Sequence, residues 1–130
     1  FLFLFSGSVC GQEEREVRKS YNHQTGYLWN KIQYKNGKKD GLEIWYDFEK
    51  SGENIVIKTH WKNGKRDGLA TWWWRNGKKK KETHWKNGKK MKATFWKESG
   101  EMEYIKEYDK DGHFMSQRDF VDGVEVINPY

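Results

Sequence analysis

Glycine preceded by a short polar residue recurs along most of this chain, and few folds other than a series of β-turns accommodate that recurrence. From Gly26 onward there are eleven glycines, and ten of them follow Asn, Asp or Ser. Asn-Gly and Asp-Gly suit type I′ turns, in which both central residues have positive φ. The runs between these dipeptides hold five to nine residues and are rich in Trp, Tyr, Phe, Thr and Ile, which is typical of consecutive β-hairpins.

Three segments of the chain align with one another as sequence repeats. They begin at Tyr34, Trp61 and Trp85, and each places Asn-Gly-Lys two residues after its first aromatic residue. We interpret 34–57, 61–81 and 85–106 as clear units and 108–126 as a degenerate one. The positions expected to maintain the repeat structure are Gly37, Gly41, Gly64, Gly68, Gly77, Gly88, Trp45, Trp72 and Trp96.

The pattern aromatic-x-Asn-Gly-Lys-x-x-Gly-x-x-x-Trp resembles the MORN repeat, in the variant found in bacterial proteins labelled antitoxin-like. The resemblance covers roughly residues 27–126. It departs from the pattern where Lys92 replaces the second glycine of the third unit and where one extra residue precedes Gly112. It implies an all-β fold, an elongated single-layer antiparallel meander of consecutive β-hairpins. It also implies binding of proteins, or in some members of membrane lipids, without catalytic residues.

Aromatic residues outnumber the branched aliphatic residues from which most protein cores are built. The chain holds 22 Trp, Tyr and Phe against 17 Leu, Ile and Val. Because side chains alternate between the faces of a strand, a single sheet is stabilised by cross-strand aromatic pairs and by Lys and Arg stems lying on the rings. Alternation also places Trp73 opposite Trp72 and Trp74, which makes Trp73 and Trp74 the candidate contact aromatics.

Positive charge is concentrated in the middle of the chain. Residues 58–92 carry 13 positive and two negative charges, whereas residues 93–130 carry four positive and nine negative charges. The basic residues expected at or beside turns are Lys62, Lys65, Arg66, Lys78, Lys79, Lys80, Lys86 and Lys89. One interpretation is that lysines at turns and edges block unwanted strand pairing. The other is an anionic partner, either an acidic protein or an anionic membrane surface, with head-to-tail self-association as a further alternative.

The first eleven residues resemble the end of a secretory leader. Five apolar residues are followed by a small, weakly polar stretch up to Gly11 and then by charged residues. We expect an exported protein, periplasmic, secreted or attached to the outer envelope, whose repeat domain spans residues 12–130. Cleavage after Gly11 or lipidation of Cys10 both remain open, as does a hydrophobic first strand. Export makes nucleic acid a disfavoured partner.

No motif in the sequence indicates catalysis or a cofactor. Nucleophile elbows, phosphate-binding loops and zinc-protease motifs do not occur. His60 and His84 occupy the same repeat position without a second ligand type beside them, and Asp109 to Gly112 matches only half of a calcium loop. We therefore predict a non-enzyme without metal or cofactor. The first function that stays open is an exported interaction module. The alternative is a structural repeat segment of a longer protein, or an antitoxin-like protein with a protein or nucleic-acid partner.

Overall fold

In the part of the chain that the structure describes, ten antiparallel strands form one sheet in which neighbouring strands follow chain order. The computed structural model describes residues 14–47, 49 and 54–127. The strand order runs from β1 to β10 without a crossover, so the predicted single-layer meander is confirmed. The strands are β1 Glu16–Tyr21, β2 Leu28–Lys35, β3 Lys38–Tyr46, β4 Ile55–Lys62, β5 Lys65–Trp73, β6 Lys79–Lys86, β7 Lys89–Trp96, β8 Met102–Tyr108, β9 Phe114–Val121 and β10 Val124–Val126.

Two of the sequence predictions concern residues that the structure does not cover. The leader at residues 1–11, including Cys10, lies outside the described residues, and so does most of the segment 48–53 within the first unit, 34–57. Among the residues with described structure there is no helix of the length and apolarity needed to cross a membrane.

The Asn-Gly dipeptides at 36, 63 and 87 make the tight turns along one edge of the sheet. In each, asparagine has φ between 48° and 50° and glycine between 75° and 79°, as a type I′ turn requires. Asn76-Gly77 lies on the opposite edge and is different, because only its glycine has positive φ and Gly77 N–H donates to the Trp74 carbonyl over 2.9 Å. That hydrogen bond and the glycine φ are typical of a three-residue hairpin loop.

The Asp-Gly dipeptides at 40 and 67 are not turns, which corrects their interpretation as hairpin signals. Asp67 and Gly68 lie within β5, where Thr59 pairs with Ala70 but Trp61 pairs with Arg66. His60 therefore faces three residues of β5, and the sheet contains a bulge at this point. Gly68 has φ +99° there, and Gly41 has φ +105° at the same place in β3.

Each Asp-Gly bulge holds the tight turn of the following unit. An Asp40 carboxylate oxygen accepts the Asn63 N–H over 3.1 Å, and the Lys39 carbonyl accepts the Gly64 N–H over 2.8 Å. One unit later, the Asp67 carboxylate accepts the Asn87 N–H over 3.1 Å, and the Arg66 backbone carbonyl accepts the Gly88 N–H over 2.8 Å. The position of Asp-Gly after Asn-Gly therefore lets the aspartate of one unit hold the tight turn of the next unit, so that successive turns stack.

The third unit lacks the Asp-Gly bulge, and its register changes accordingly. Trp85 pairs with Lys90 and His84 with Lys92, so only one extra residue remains on β7 instead of two. Phe95 then takes the position that Trp72 has in the second unit, since Phe95 pairs with Lys81 as Trp72 pairs with Ile57. The predicted equivalence of Trp96 with Trp45 and Trp72 is therefore wrong, and Trp96 lies on the opposite face.

The buried centre of the sheet is built from small residues under large aromatic side chains. Ala70 and Thr83 are completely buried and Ala93 is 1% exposed, whereas Trp45, Trp72 and Trp96 are only half-buried. Because the described residues form one layer, neighbouring aromatic and basic side chains must cover these small residues.

Candidate binding surface

Aromatic rings and basic side chains alternate across one face of the sheet, which we call the aromatic face. Arg66 lies over the rings of both Trp61 and Trp85, with its guanidinium carbon 5.4 and 4.9 Å from their centroids. Lys90 continues this row beyond Trp85 to Tyr108 at 5.6 and 5.9 Å. Each cation lies close enough to a ring for a cation–π interaction and excludes water from it.

A second row on the aromatic face places Lys81 between two rings. Its ammonium group lies 5.0 Å from the Trp72 centroid and 5.2 Å from that of Phe95. Burial lowers the pKa of Lys81, and the positive charges of Lys90, Arg66 and Lys106 lower it further. The second and third units thus present a group of cations on this face that repel one another.

In the first unit, a buried carboxylate lies among the corresponding side chains. Glu43 is 6% exposed and accepts hydrogen bonds from the Trp61 indole N–H over 2.7 Å and from the Trp45 indole N–H over 3.2 Å. Its Oε1 atom also accepts a bond from Lys39 Nζ over 2.9 Å. The indole donors and the ammonium group therefore have an internal acceptor in this unit.

In the second unit, alanine takes the place of that glutamate. Ala70 pairs with Thr83 as Glu43 pairs with Thr59, and Gly68 pairs with Trp85 as Gly41 pairs with Trp61. The Trp85 indole N–H and the Thr83 hydroxyl are both buried without a hydrogen-bond partner among the described residues. Because buried polar groups are nearly always hydrogen-bonded, this pair marks a place where the chain does not satisfy its own donors.

Lysines stand directly opposite one another beside each tight turn, along what we call the basic edge. The pairs are Lys35 with Lys38, Lys62 with Lys65 and Lys86 with Lys89. Like charges that face each other across a strand pair are destabilising. Consecutive turns on this edge are two strands apart, about 10 Å, so the repeat carries the lysine pairs in a row.

The eight basic residues predicted from the sequence are all exposed, and the structure divides them between two edges as expected. Lys62, Lys65, Arg66, Lys86 and Lys89 lie at the basic edge, and Lys78, Lys79 and Lys80 lie at the other.

The two groups differ in their contacts. Lys78 donates to the Ser99 carbonyl and Lys79 to Glu82, both over 2.6 Å. At the basic edge, Lys89 pairs with Asp111 over 3.3 Å. Within residues 14–47, 49 and 54–127, Lys62, Lys65 and Lys86 have neither an ion pair nor a side-chain hydrogen bond, and the same holds for Lys80 at the other edge.

The candidate contact aromatics are partly covered by the protein itself. Trp73 and Trp74 are half-buried, the Trp74 indole donates to the Trp96 carbonyl over 3.3 Å, and Lys80 lies 4.4 Å from the Trp74 centroid. Trp29 is more accessible, at 45% exposure, and packs edge-on against Trp45 with a centroid distance of 6.0 Å. Trp29 precedes the first clear unit, which starts at residue 34, so the alignment of the units did not single it out.

The weak metal candidates are explained by local hydrogen bonds. Asp109, Asp111 and His113 have ligand atoms within 4.8 Å of one another in the β8–β9 loop. One Asp109 oxygen already accepts the His113 and Asp111 N–H groups over 2.9 and 2.8 Å, and these bonds lower the pKa of Asp109. His60 Nδ1 donates to the Leu69 carbonyl over 2.8 Å, across the second bulge.

Comparisons with known proteins give only distant structural likeness. No family model and no curated protein sequence matches this chain. A solved structure of accessory secretory protein 1, 2 and 3 from Streptococcus pneumoniae is similar at 16% identity and a TM-score of 0.37, over 93% of this chain and 20% of that one. The GtfA/B complex bound to UDP and GlcNAc is similar at 15% identity and a TM-score of 0.34, over 89% and 22%. This chain therefore spans about a fifth of the length of both.

Proposed function

We propose that this chain is a non-catalytic repeat module that binds an anionic partner through its basic edge and the adjoining aromatic face. The observation that carries the proposal is the row of facing lysine pairs at the tight turns. Four of these lysines, Lys38, Lys62, Lys65 and Lys86, have no internal counter-charge among the described residues, so folding alone gains nothing from bringing them together. A bound anion would convert that repulsion into attraction.

The partner proposed is an acidic protein surface or an anionic envelope surface. Each lysine close to anionic lipid contributes about 1 kcal/mol, and the attraction falls off over a Debye length of about 8 Å at physiological salt. Export of the protein, expected from the leader-like start of the sequence, is part of this proposal. It would place the module where envelope surfaces and secreted proteins are the available partners.

The test compares two variants that remove the same charge from opposite edges. One carries Lys62→Gln, Lys65→Gln and Lys86→Gln, and its matched control carries Lys78→Gln, Lys79→Gln and Lys80→Gln. Binding of the whole chain to immobilised hexaglutamate peptide and to vesicles of anionic or neutral lipid is measured at low and high salt. We expect the basic-edge variant to lose about tenfold or more in affinity at low salt, equivalent to about 0.5 kcal/mol per lysine.

The control variant should change affinity by less than threefold. Equal losses in both triple variants would show that only total charge matters and would refute a defined edge. No salt-dependent binding to either probe would refute the anionic partner and favour a purely structural repeat segment.

A further inference from the structure

We propose that the second unit binds a carboxylate supplied by the partner, at the place that the Glu43 carboxylate occupies in the first unit. This inference rests on the proposed function and names the chemistry of the partner, an acidic protein segment. The first unit shows which group these side chains hold, and the second unit repeats the holders without the group.

The two units match position by position on the aromatic face. Thr59 corresponds to Thr83 and Trp61 to Trp85, since each threonine pairs with the residue two places after a bulge glycine and each tryptophan pairs with that glycine. Lys39 corresponds to Arg66, because each pairs with the residue beside a tight turn and stacks on Trp61 or Trp85. The donors around Glu43 are therefore reproduced one unit later.

Two substitutions make the second site more positive than the first. Ala70 stands where the first unit has Glu43, and Lys81 stands where it has Ile57, since Lys81 pairs with Trp72 as Ile57 pairs with Trp45. These changes remove one negative and add one positive charge around the same indole donor. The field at the Trp85 N–H consequently favours an anion much more strongly than the field at the Trp61 N–H.

The donor geometry selects a carboxylate among small anions. In the first unit one carboxylate oxygen takes the Trp61 N–H at 2.7 Å while the other takes Lys39 and the Trp45 N–H at 2.9 and 3.2 Å. One unit later, the corresponding groups are the Trp85 N–H, the Arg66 guanidinium and the Trp72 indole. An arginine fork suits the two oxygens of a planar carboxylate.

Access to the site requires movement of Arg66. Ala70 and Thr83 are completely buried, and the Trp85 nitrogen has essentially no solvent contact. Arg66 is exposed and makes its described contacts through the Trp61 and Trp85 rings. An incoming glutamate can pair with the guanidinium as it moves aside and can then reach the indole N–H. An acidic side chain on an extended peptide has the reach for this, whereas a flat lipid surface does not.

The test follows the Trp85 indole N–H directly by nitrogen-15 NMR during titration with hexaglutamate, with hexaglutamine as the neutral control peptide. We expect the Trp85 indole proton to shift downfield with hexaglutamate alone, while the Trp61 indole signal, already bonded to Glu43, stays in place. Trp85→Phe keeps an aromatic ring without the donor and should weaken hexaglutamate binding about tenfold or more. Trp96→Phe, on the opposite face, should leave the affinity within twofold.

Ala70→Glu supplies the carboxylate from within the chain and should remove the Trp85 response to the peptide. If this variant does not fold, the hexaglutamate affinity of Trp85→Phe and the wild-type spectra still test the inference. Hexaglutamate binding that depends on the basic edge but leaves the Trp85 signal unchanged would overturn this inference and leave the proposed function intact. Trp85 shifting equally with both peptides would also overturn it. Absence of all hexaglutamate binding would overturn this inference, and it would overturn the proposed function too only if anionic vesicles also failed to bind.

Discussion

The first and second units share one backbone design but differ in how they balance charge. Both have a tight Asn-Gly turn, a bulge glycine with φ near +100° and an aspartate that holds the next turn. The first unit buries Glu43 between two indole donors, whereas the second has Ala70 there and leaves the Trp85 N–H without a described acceptor. The repeated backbone determines the sheet, and side chains at a few positions of one face determine what each unit can bind.

The largest effect is expected from making the first unit resemble the second. Glu43→Ala should lower the free energy of unfolding by about 3 kcal/mol, because the Trp61 and Trp45 indoles and Lys39 lose a buried acceptor. Glu43→Gln retains one carbonyl acceptor and should cost less. Urea denaturation of both variants measures the difference. Equal stability of wild type and Glu43→Ala would show that the carboxylate is not integral to the fold.

The second and third units differ at the bulge, and exchanging one residue tests that difference. Gly68→Lys places the residue of the third unit at φ +99°, with the new Cβ 3.3 Å from that of His60, and should cost about 2 kcal/mol. Lys92→Gly, the reciprocal change, should alter stability by at most about 1 kcal/mol, because Lys92 does not have positive φ. Thermal unfolding of both variants and of the wild type measures these changes in stability. A similar loss in both would contradict a bulge-specific role for Gly68.

The sequence predicted the strands and tight turns well because Asn-Gly chemistry acts locally. It misassigned Asp40-Gly41 and Asp67-Gly68, since the partner of each aspartate is the next turn, 23 and 20 residues along the chain, and nothing local reveals that contact. Trp96 was aligned by counting from the turn, a count that fails when a bulge loses one residue. The orphaned Trp85 donor could be recognised only once the register placed Ala70 and Glu43 in equivalent positions.

The aspartates that hold successive turns provide an intermediate effect with a defined pH dependence. Asp40→Ala should cost about 1 to 2 kcal/mol near neutral pH, since it leaves the Asn63 N–H without its acceptor. The Asn63 backbone hydrogen bond and Arg15 lower the pKa of Asp40, so its contribution is complete above the ordinary aspartate pKa and is lost as the pH falls through the lowered value. Chemical denaturation from pH 7 to pH 2.5 should therefore show wild type and variant converging in acid. A constant gap would assign the loss to packing.

The smallest effect concerns Lys81, which replaces Ile57 of the first unit. Burial and the charges of Lys90, Arg66 and Lys106 lower its pKa, so the unfolded chain holds this proton more tightly than the folded one. Stability should then rise with pH as Lys81 deprotonates in the folded state, up to its ordinary pKa in the unfolded chain. We compare the free energy of unfolding of Lys81→Met with that of wild type from pH 7 to pH 10. The two proteins should be most similar in stability at the alkaline end, and the stability of the variant relative to wild type should increase toward neutral pH.

Lys58→Met, on the opposite face, controls for the general loss of a lysine. Because Lys81 keeps part of its hydration, screening by salt should shrink the difference between Lys81→Met and wild type. A further variant tests the difference in charge between the first and second units. Ala70→Glu places a carboxylate beside Lys81, which should raise the Lys81 pKa. The rise in stability toward alkaline pH, which we call the alkaline gain, should then disappear. That result is expected if the missing acid is what distinguishes the second unit from the first. Persistence of the alkaline gain in Ala70→Glu would show that burial, and not the local charge balance, controls Lys81.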